Sequence, residues 1–306
     1  MKRKGLITLT LALSVAAFPA FTGASATSME TTVDSQGNEV HIDGLPKAAS
    51  KSKENFDKPA VVEKETKAKV LNENGKKIGH KKIDKTEGSN RNVVPGQAKK
   101  HASNQSSQEL CLLFCDDNDD SGSGGNDGGS NTSGEAKTAT VLIAADEEYR
   151  AAHSDWQTYT KNIIENADNG FTRDHNIDLE VKVFAEWSSQ GNNANEILQD
   201  LDRDWNGEGY DFVVGFTRDS NFNSGGIAYV YPSAPNGSAV SVNLDQGAEN
   251  TWHAAQHEIS HNYGLGHDAQ GSGIKCIMNY DYSYQVDYWG TEHDNQIEAH
   301  RNWYGN

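Results

Sequence analysis

Cysteine is scarce in this sequence. The 306-residue chain has only Cys111, Cys115 and Cys276. An odd number excludes a framework in which every cysteine is paired within the chain. The part after residue 135 holds a single cysteine, so it can have no internal disulfide. Cys276 could instead pair with Cys111 or Cys115.

Basic residues are scarce in the C-terminal part. Residues 136–306 contain 9 Lys and Arg against 26 Asp and Glu, so the whole formal net charge of −17 lies there. Such a surface repels phosphates, which argues against a nucleic-acid partner. The acidic surface could favour basic substrates or calcium, or it could serve only to keep the protein soluble.

The chain has one long apolar run, at its N-terminus. Basic residues at 2–4 precede the apolar run at 6–21, and an A-x-A site follows at 24–26. This is the pattern of a secretory signal peptide, here residues 1–26. We therefore expect a secreted, extracellular protein, a monomer with no stable membrane association.

Aromatic residues are almost absent from residues 27–110, where Phe56 is the only one. Such a segment can bury little apolar surface, so the sequence predicts that it is poorly ordered. In a secreted protein this is the place of a propeptide. The alternative is a free-standing N-terminal binding domain, which would need a core that this composition does not provide.

Residues 111–135 form a boundary that is rich first in aspartate and then in glycine and serine. The composition predicts a flexible linker in which processing is expected. Four of its residues match positions 1, 3, 5 and 12 of a calcium loop: Asp116, Asn118, Asp120 and Asp127. Ser121 stands where that loop prefers glycine, so the segment is either a calcium site or a disordered acidic linker.

The pattern of residues 136–306 is that of one globular domain. Apolar runs typical of strands alternate with stretches in which apolar residues recur every three or four positions. Strands that alternate with helices predict an α/β layer with a mostly parallel sheet. A last helix is predicted from Glu292 to about Tyr304.

The sequence at 257–268 reads HEISHNYGLGHD. On a helix, His257 and His261 leave the same face one turn apart, a spacing that suits two ligands of one zinc ion. Gly264 can adopt the left-handed conformation that ends a helix, which would return His267 as a third ligand. Three protein ligands leave one position for water, as at a catalytic zinc.

Glu258 stands beside the first ligand, where a carboxylate can reach a metal-bound water and act as general base. His253 lies one turn before His257 on the same face. The three turns of helix span about 12 Å, so its imidazole cannot converge on the same ion. We predict that His253 is a helix-surface or supporting residue, and that His293 and His300 are surface residues of the last helix.

The motif resembles that of the metzincin zinc endopeptidases when the CIMNY segment at 276–280 is considered with it. Met278 matches the methionine of the tight turn beneath the metal in that family. Asp268, the Cys-Ile-Met order and GIAYV at 226–230 are similar to the adamalysin branch. Tyr280 resembles the tyrosine of the astacin and serralysin branches. The mixture is similar to small secreted metalloproteases of bacilli.

This resemblance implies a mixed five-stranded sheet with one antiparallel edge strand, a zinc helix, a Met-turn and a C-terminal helix. The edge strand would be Ile227–Tyr231, and a substrate would add to it as an extra strand through Ile227, Ala228, Tyr229 and Val230. The segment Tyr280–Trp289 would wall the specificity pocket, where Asp281 or Asp287 would favour basic side chains.

The resemblance also implies a zinc-dependent endopeptidase with Glu258 as general base. Tyr280 would ligate zinc or donate to the oxyanion, with a plain cleft-wall tyrosine as the alternative. Met278 would pack beneath the metal, and Asp268 would orient the Met-turn. A zinc hydrolase of cell-wall peptides and a non-enzymatic binding module on the same fold are the competing functions.

A secreted peptidase of this kind is made as a latent precursor. The latch could be a thiolate from Cys111 or Cys115, or a carboxylate from the run Asp116–Asp120.

Overall fold

The computed structural model describes residues 31–49, 67–83 and 135–305. The predicted signal peptide lies outside these ranges, as do Cys111, Cys115 and the candidate calcium-loop residues. Within the described ranges, no helix combines the length and apolar character needed to span a membrane.

The described residues form nine strands and five α-helices. The strands are β1 (Thr31–Val33), β2 (Glu39–Asp43), β3 (Lys67–Asn72), β4 (Lys77–Lys82), β5 (Lys137–Ala145), β6 (Ile177–Glu186), β7 (Phe212–Thr217), β8 (Gly226–Val230) and β9 (Ala239–Leu244). The helices are α1 (Glu147–Ala152), α2 (Trp156–His175), α3 (Ala194–Trp205), α4 (Ala248–Asn262) and α5 (Thr291–His300), after which a 3₁₀ turn spans Arg301–Trp303.

All nine strands belong to one mixed sheet in the order β1-β2-β8-β9-β7-β5-β6-β3-β4. The central strands β6, β5, β7 and β9 are parallel to one another. Strand β8 is antiparallel to β9, and the four N-terminal strands pair antiparallel at the two sides. The predicted mixed α/β fold is confirmed, but the prediction of five strands is wrong.

The extra strands come from the segment that the sequence predicted to be poorly ordered. Residues 31–43 form a hairpin that pairs with β8, and residues 67–82 form a second hairpin that pairs with β6. Composition missed them because these hairpins have no core of their own. They bury a few residues, such as Val40 and Val70, against the core of the rest of the chain.

Strand β8 is antiparallel as predicted, yet it is not the edge of the sheet. Its free side is covered by β2, with Ile42 opposite Tyr229 and Asp43 opposite Ala228. The position that the sequence assigned to a substrate strand is therefore held by a segment of the same chain.

The core follows from the apolar runs. The last five residues of β5 and all of β7 are buried, as expected for central strands covered on both faces. Helix α3 buries Ile197, Leu198, Leu201 and Trp205. Helix α2 packs on both β6 and α4, while α4 packs on β8 and β9, so the motif-bearing helix is held directly behind the covered strand.

Asn262 fixes the C-terminal end of α4 to the sheet. Its side-chain Nδ2 donates to the carbonyls of Tyr229 in β8 (2.9 Å) and Val240 in β9 (3.2 Å). Its own carbonyl accepts from the Tyr304 hydroxyl at 2.7 Å. The buried amide thus sets the distance between the helix and the two strands beside the cleft.

We expect Asn262→Ala to lower the free energy of unfolding by about 2 kcal/mol, because it leaves two buried carbonyls without this donor. Urea unfolding followed by circular dichroism measures the change. Gln285→Ala is the matched control, since it removes an exposed amide that donates to a carbonyl, and we expect less than about 0.5 kcal/mol. Equal stability of the Asn262 variant and the wild type would contradict the role of Asn262.

Candidate metal centre and active site

Three imidazoles converge at the C-terminal end of α4. The Nε2 atom of His267 lies 3.0 Å from Nε2 of His257 and 2.9 Å from Nε2 of His261. Both helix histidines are fully buried and His267 is partly buried. The structure therefore brings together the three residues that the sequence predicted as zinc ligands, and they form a group that could hold a metal ion.

The opposite ring nitrogens point each imidazole at this common position. His257 Nδ1 donates to the Ile277 carbonyl and His261 Nδ1 to the Leu265 carbonyl, both at 2.7 Å. Because a carbonyl can only accept, each Nδ1 carries the proton and each Nε2 presents its lone pair. Metal-bound histidines characteristically have such partners on the outer nitrogen.

His267 also has an outer partner, of a different kind. Its Nδ1 lies 3.0 Å from the Asp43 carboxylate, which comes from β2 in the N-terminal hairpin. No pattern around Asp43 marked it in the sequence, because the contact joins residues far apart along the chain.

Gly264 makes the turn that returns His267 to the helix. Its φ is +85°, as the sequence predicted for a residue that ends a helix, and a Cβ there would meet the Tyr231 carbonyl oxygen at 2.8 Å. Its N–H donates to the His261 carbonyl at 2.8 Å. A left-handed conformation against neighbouring backbone leaves room only for glycine.

Burial sets the protonation state of the helix histidines. Desolvation, followed by the charge of His267, lowers the pKa of His261 to about 3. Desolvation also lowers the pKa of His257 well below its usual value. Both rings are therefore neutral near pH 7, and the neutral imidazole is the form that ligates a metal.

Glu258 lies beside this group and is completely buried. Its Oε1 accepts the Leu45 N–H at 3.2 Å, while its Oε2 has no hydrogen-bond partner among the described residues. Desolvation, followed by the charge of Asp43, raises the pKa of Glu258 well above its usual range. Gly226 gives the carboxyl its space, because a Cβ there would lie 2.5 Å from Oε1.

The Met-turn contacts the histidines through the Ile277 carbonyl, which accepts from His257 Nδ1. Met278 is fully buried, and its carbonyl accepts the Asp268 N–H at 3.1 Å. Asp268 therefore orients the turn through its backbone. Its carboxylate faces elsewhere, 3.5 Å from His293 Nδ1.

A segment of the same chain lies in the cleft between β8 and the histidines. Leu45 N–H donates to the Gly226 carbonyl at 3.1 Å as well as to Glu258, and the Leu45 carbonyl accepts the Gly225 N–H at 2.7 Å. The Leu45 side chain is 1% exposed. Residues 42–48 thus occupy the site as an extended peptide bound through its backbone.

Two tyrosines from beyond the Met-turn hold the same segment. The Tyr280 hydroxyl donates to the Gly44 carbonyl at 2.9 Å, and the Tyr284 hydroxyl donates to the Pro46 carbonyl at 2.8 Å. The Tyr280 ring lies 4.2 Å from the His267 ring, centre to centre. Tyr280 therefore stands at the site, with its hydroxyl directed at a carbonyl of the bound segment.

The predicted pocket carboxylates are engaged in other contacts. Asp287 forms an ion pair with Arg173 of α2 at 2.8 Å, and Asp281 accepts the Gly271 N–H at 2.7 Å. Arg173 also pairs with Asp174, so it does not fully balance the charge of Asp287, and the expectation that Asp281 or Asp287 favours basic side chains stays a prediction.

Of the other three predicted histidines, His253, His293 and His300, one does not lie where the sequence placed it. His253 is directed away from the metal group, with Nδ1 2.8 Å from the Glu249 carbonyl, and His300 Nδ1 bonds the Tyr263 carbonyl at 2.7 Å. His293 is not the surface residue that was predicted, since it is buried against Cys276, with Nδ1 3.2 Å from Sγ. Cys276 forms no disulfide among the described residues.

Three convergent imidazoles beside a buried carboxylate, in a cleft that holds an extended peptide, form the arrangement of a metallopeptidase active site. The family model for metallo-peptidase family M12 matches residues 135–290, just over half of the chain. The chain therefore belongs to metallo-peptidase family M12, a family of peptidases that use zinc.

Among solved structures, the chain is similar to metalloproteinase-II from Bacteroides fragilis. The identity is 15% and the TM-score is 0.41, over 54% of this chain and 54% of that chain. The alignment thus spans about half the length of that protein. The curated proteins contain no match to this chain.

We expect His261→Ala to lower the metal content of the purified protein by about one ion per chain, because two imidazoles alone hold zinc poorly. His253→Ala is the matched control on the same helix and should keep the wild-type content. Inductively coupled plasma mass spectrometry measures both. Loss of an ion in the His253 variant, or retention in the His261 variant, would contradict the ligand assignment.

Proposed function

We propose that the protein is a secreted zinc endopeptidase of the metalloendopeptidase class, made as a latent precursor, that hydrolyses peptide bonds in proteins. One observation carries the proposal: β8 already binds an extended peptide beside the three histidines and Glu258. Secretion rests on the N-terminal pattern of basic residues, apolar run and A-x-A site.

Three imidazole nitrogens are a number and a kind of ligand that suit zinc. In His257 and His261 the proton is on Nδ1, which leaves Nε2 free to bind the ion. Zinc held by His257, His261 and His267 would polarise a peptide carbonyl and acidify a water molecule. Glu258 then takes a proton from the water and delivers it to the nitrogen of the leaving amine.

Tyr280 is proposed as the donor to the oxyanion. Its hydroxyl donates to a carbonyl of the peptide in the cleft, the Gly44 oxygen, so it can donate in the same way to a substrate carbonyl. The proposal places the protein between the two branches of the metzincins that its sequence resembles. Cys276-Ile277-Met278 is adamalysin-like and Tyr280 is astacin-like.

Latency is proposed to come from residues 42–48. They take the place of substrate along β8, and Leu45 N–H occupies one oxygen of the proposed base. Asp43 places a carboxylate against the third histidine. Cys111, Cys115 and Asp116–Asp120 lie outside the described residues and stay predictions for an additional latch.

We expect Glu258→Gln to keep the wild-type metal content but to lose roughly 10²- to 10⁴-fold of peptidase activity in the matured protein, because the amide cannot take a proton. Hydrolysis of fluorescent casein measures the rate, with His253→Ala as the control. A fully active Glu258→Gln protein would contradict the mechanism. Purified peptidoglycan, assayed in parallel, distinguishes a cell-wall hydrolase, and activity on neither substrate would favour a binding module.

We expect Leu45→Ala to make the intact precursor more active. Truncation of the buried Leu45 side chain weakens the binding of residues 42–48 in the cleft by about 2 kcal/mol. The fraction of molecules in which the segment has left the cleft then rises roughly 30-fold. Initial rates on a short fluorogenic peptide measure this, with mass spectrometry to show that the chain is uncut. Val33→Ala is the control, because Val33 lies on the same hairpin and is 48% exposed.

If the uncut Leu45→Ala precursor is as inactive as the uncut wild type while the matured enzyme is active, residues 42–48 are not the latch. The peptidase assignment would then stand without this account of latency.

A further inference from the structure

A second group of ligating side chains lies behind the Met-turn. Asp268, Cys276 and His293 bring one carboxylate oxygen, one sulfur and one imidazole nitrogen within 4.8 Å of one another. They come from three places along the chain: the residue after the third histidine, the start of the Met-turn, and the first turn of α5. The proposed catalysis uses none of these side chains.

The three atoms are gathered around His293 Nδ1. It lies 3.2 Å from Cys276 Sγ and 3.5 Å from Asp268 Oδ2. Tetrahedral zinc with bonds of about 2.3 Å to sulfur and about 2.0 Å to nitrogen or oxygen separates its ligands by about 3.3–3.6 Å. The two distances from His293 Nδ1 are close to these separations.

The group is largely shielded from solvent. Cys276 is fully buried, and the side chains of His293 and Asp268 are 9% and 11% exposed. The buried Asp268 Oδ2 makes no hydrogen bond of normal geometry among the described residues, and His293 Nδ1 lies 3.5 Å from it. A buried carboxylate oxygen with so distant a partner is costly, and a cation among the three atoms would stabilise it.

Two backbone N–H groups face the sulfur. The Met278 N–H donates to Sγ at 3.4 Å, and the Gly290 N–H is a second backbone donor to it. Hydrogen bonds of this kind support metal-bound thiolates. Burial raises the pKa of the Cys276 thiol to about 12, so a bound cation would have to displace its proton. With a carboxylate, a thiolate and a neutral imidazole, a divalent cation leaves the buried site without net charge.

We propose that Asp268, Cys276 and His293 form a second cation site, for zinc, distinct from the site of His257, His261 and His267. The mixed sulfur, nitrogen and oxygen set favours zinc over calcium or magnesium, which prefer oxygen ligands alone. The ion would tie the Met-turn and the third-histidine loop to α5. This role does not depend on the proposed peptidase mechanism.

Cobalt(II) substitution of the full-length chain tests the proposal. The first site offers only nitrogen ligands, so a thiolate-to-cobalt charge-transfer band in the near ultraviolet reports a site that contains cysteine. We expect the band in the wild type and in His261→Ala, and we expect Cys276→Ser to abolish it. The Cys111→Ser/Cys115→Ser double variant is the matched control and should keep the band.

Zinc content gives a second readout, and its wild-type value does not depend on the folding of any variant. We expect about two zinc ions per wild-type chain and about one in either His261→Ala or His293→Gln. One ion in the wild type, together with no charge-transfer band, would overturn the proposal. So would a band that survives Cys276→Ser, or a disulfide from Cys276 to Cys111 or Cys115 in the non-reduced protein. Each of these outcomes leaves the peptidase assignment untouched.

Discussion

The active site depends on two hydrogen bonds from imidazole to backbone. His257 and His261 each donate Nδ1–H to a carbonyl from the chain that follows the helix, at Ile277 and Leu265. These bonds fix the tautomer of each ring, so that the lone pairs of both Nε2 atoms face the same point. The ligand geometry is thus set by the path of the chain after α4 as much as by the helix itself.

That dependence explains why turn residues matter so much here. Gly264 must reverse the chain in a left-handed conformation, so that Leu265 and His267 return to the helix end. The Met-turn must then bring the Ile277 carbonyl beneath His257, and the backbone bond from Asp268 to Met278 closes that loop. A helix with two correctly spaced histidines would be an incomplete site without both turns.

The sequence predicted what depends on local spacing. The histidine motif, the glycine turn and the alternation of strands and helices in residues 136–306 follow from neighbours along the chain, whereas the methionine turn was implied by the family resemblance. The structure brings the three histidines together as expected. What the sequence could not predict are contacts across long separations. The hairpins of residues 31–43 and 67–82 have too little apolar surface to fold alone, and they become ordered only as strands added to a sheet that others build.

His293 was missed for the same reason. Its position on α5 suggested a surface residue, and only the packing of α5 against the Met-turn buries it beside Cys276. A histidine pattern marks a site in sequence when one helix supplies two ligands, as at His257 and His261. A site assembled from one residue on each of three elements leaves no such periodicity.

The N-terminal hairpin also resolves a problem that the catalytic cleft creates. A strand such as β8, when unpaired, exposes backbone N–H and carbonyl groups that readily pair with other chains. Glu258, completely buried beside that strand, needs at least one donor to lower the cost of its desolvation. Strand β2 and Leu45 meet both needs at once, since β2 pairs with β8 and the Leu45 N–H reaches Glu258. A cleft built to accept a backbone is most stable when a backbone fills it, so the features suited to substrate binding also suit the proposed inhibition by the chain's own N-terminal segment.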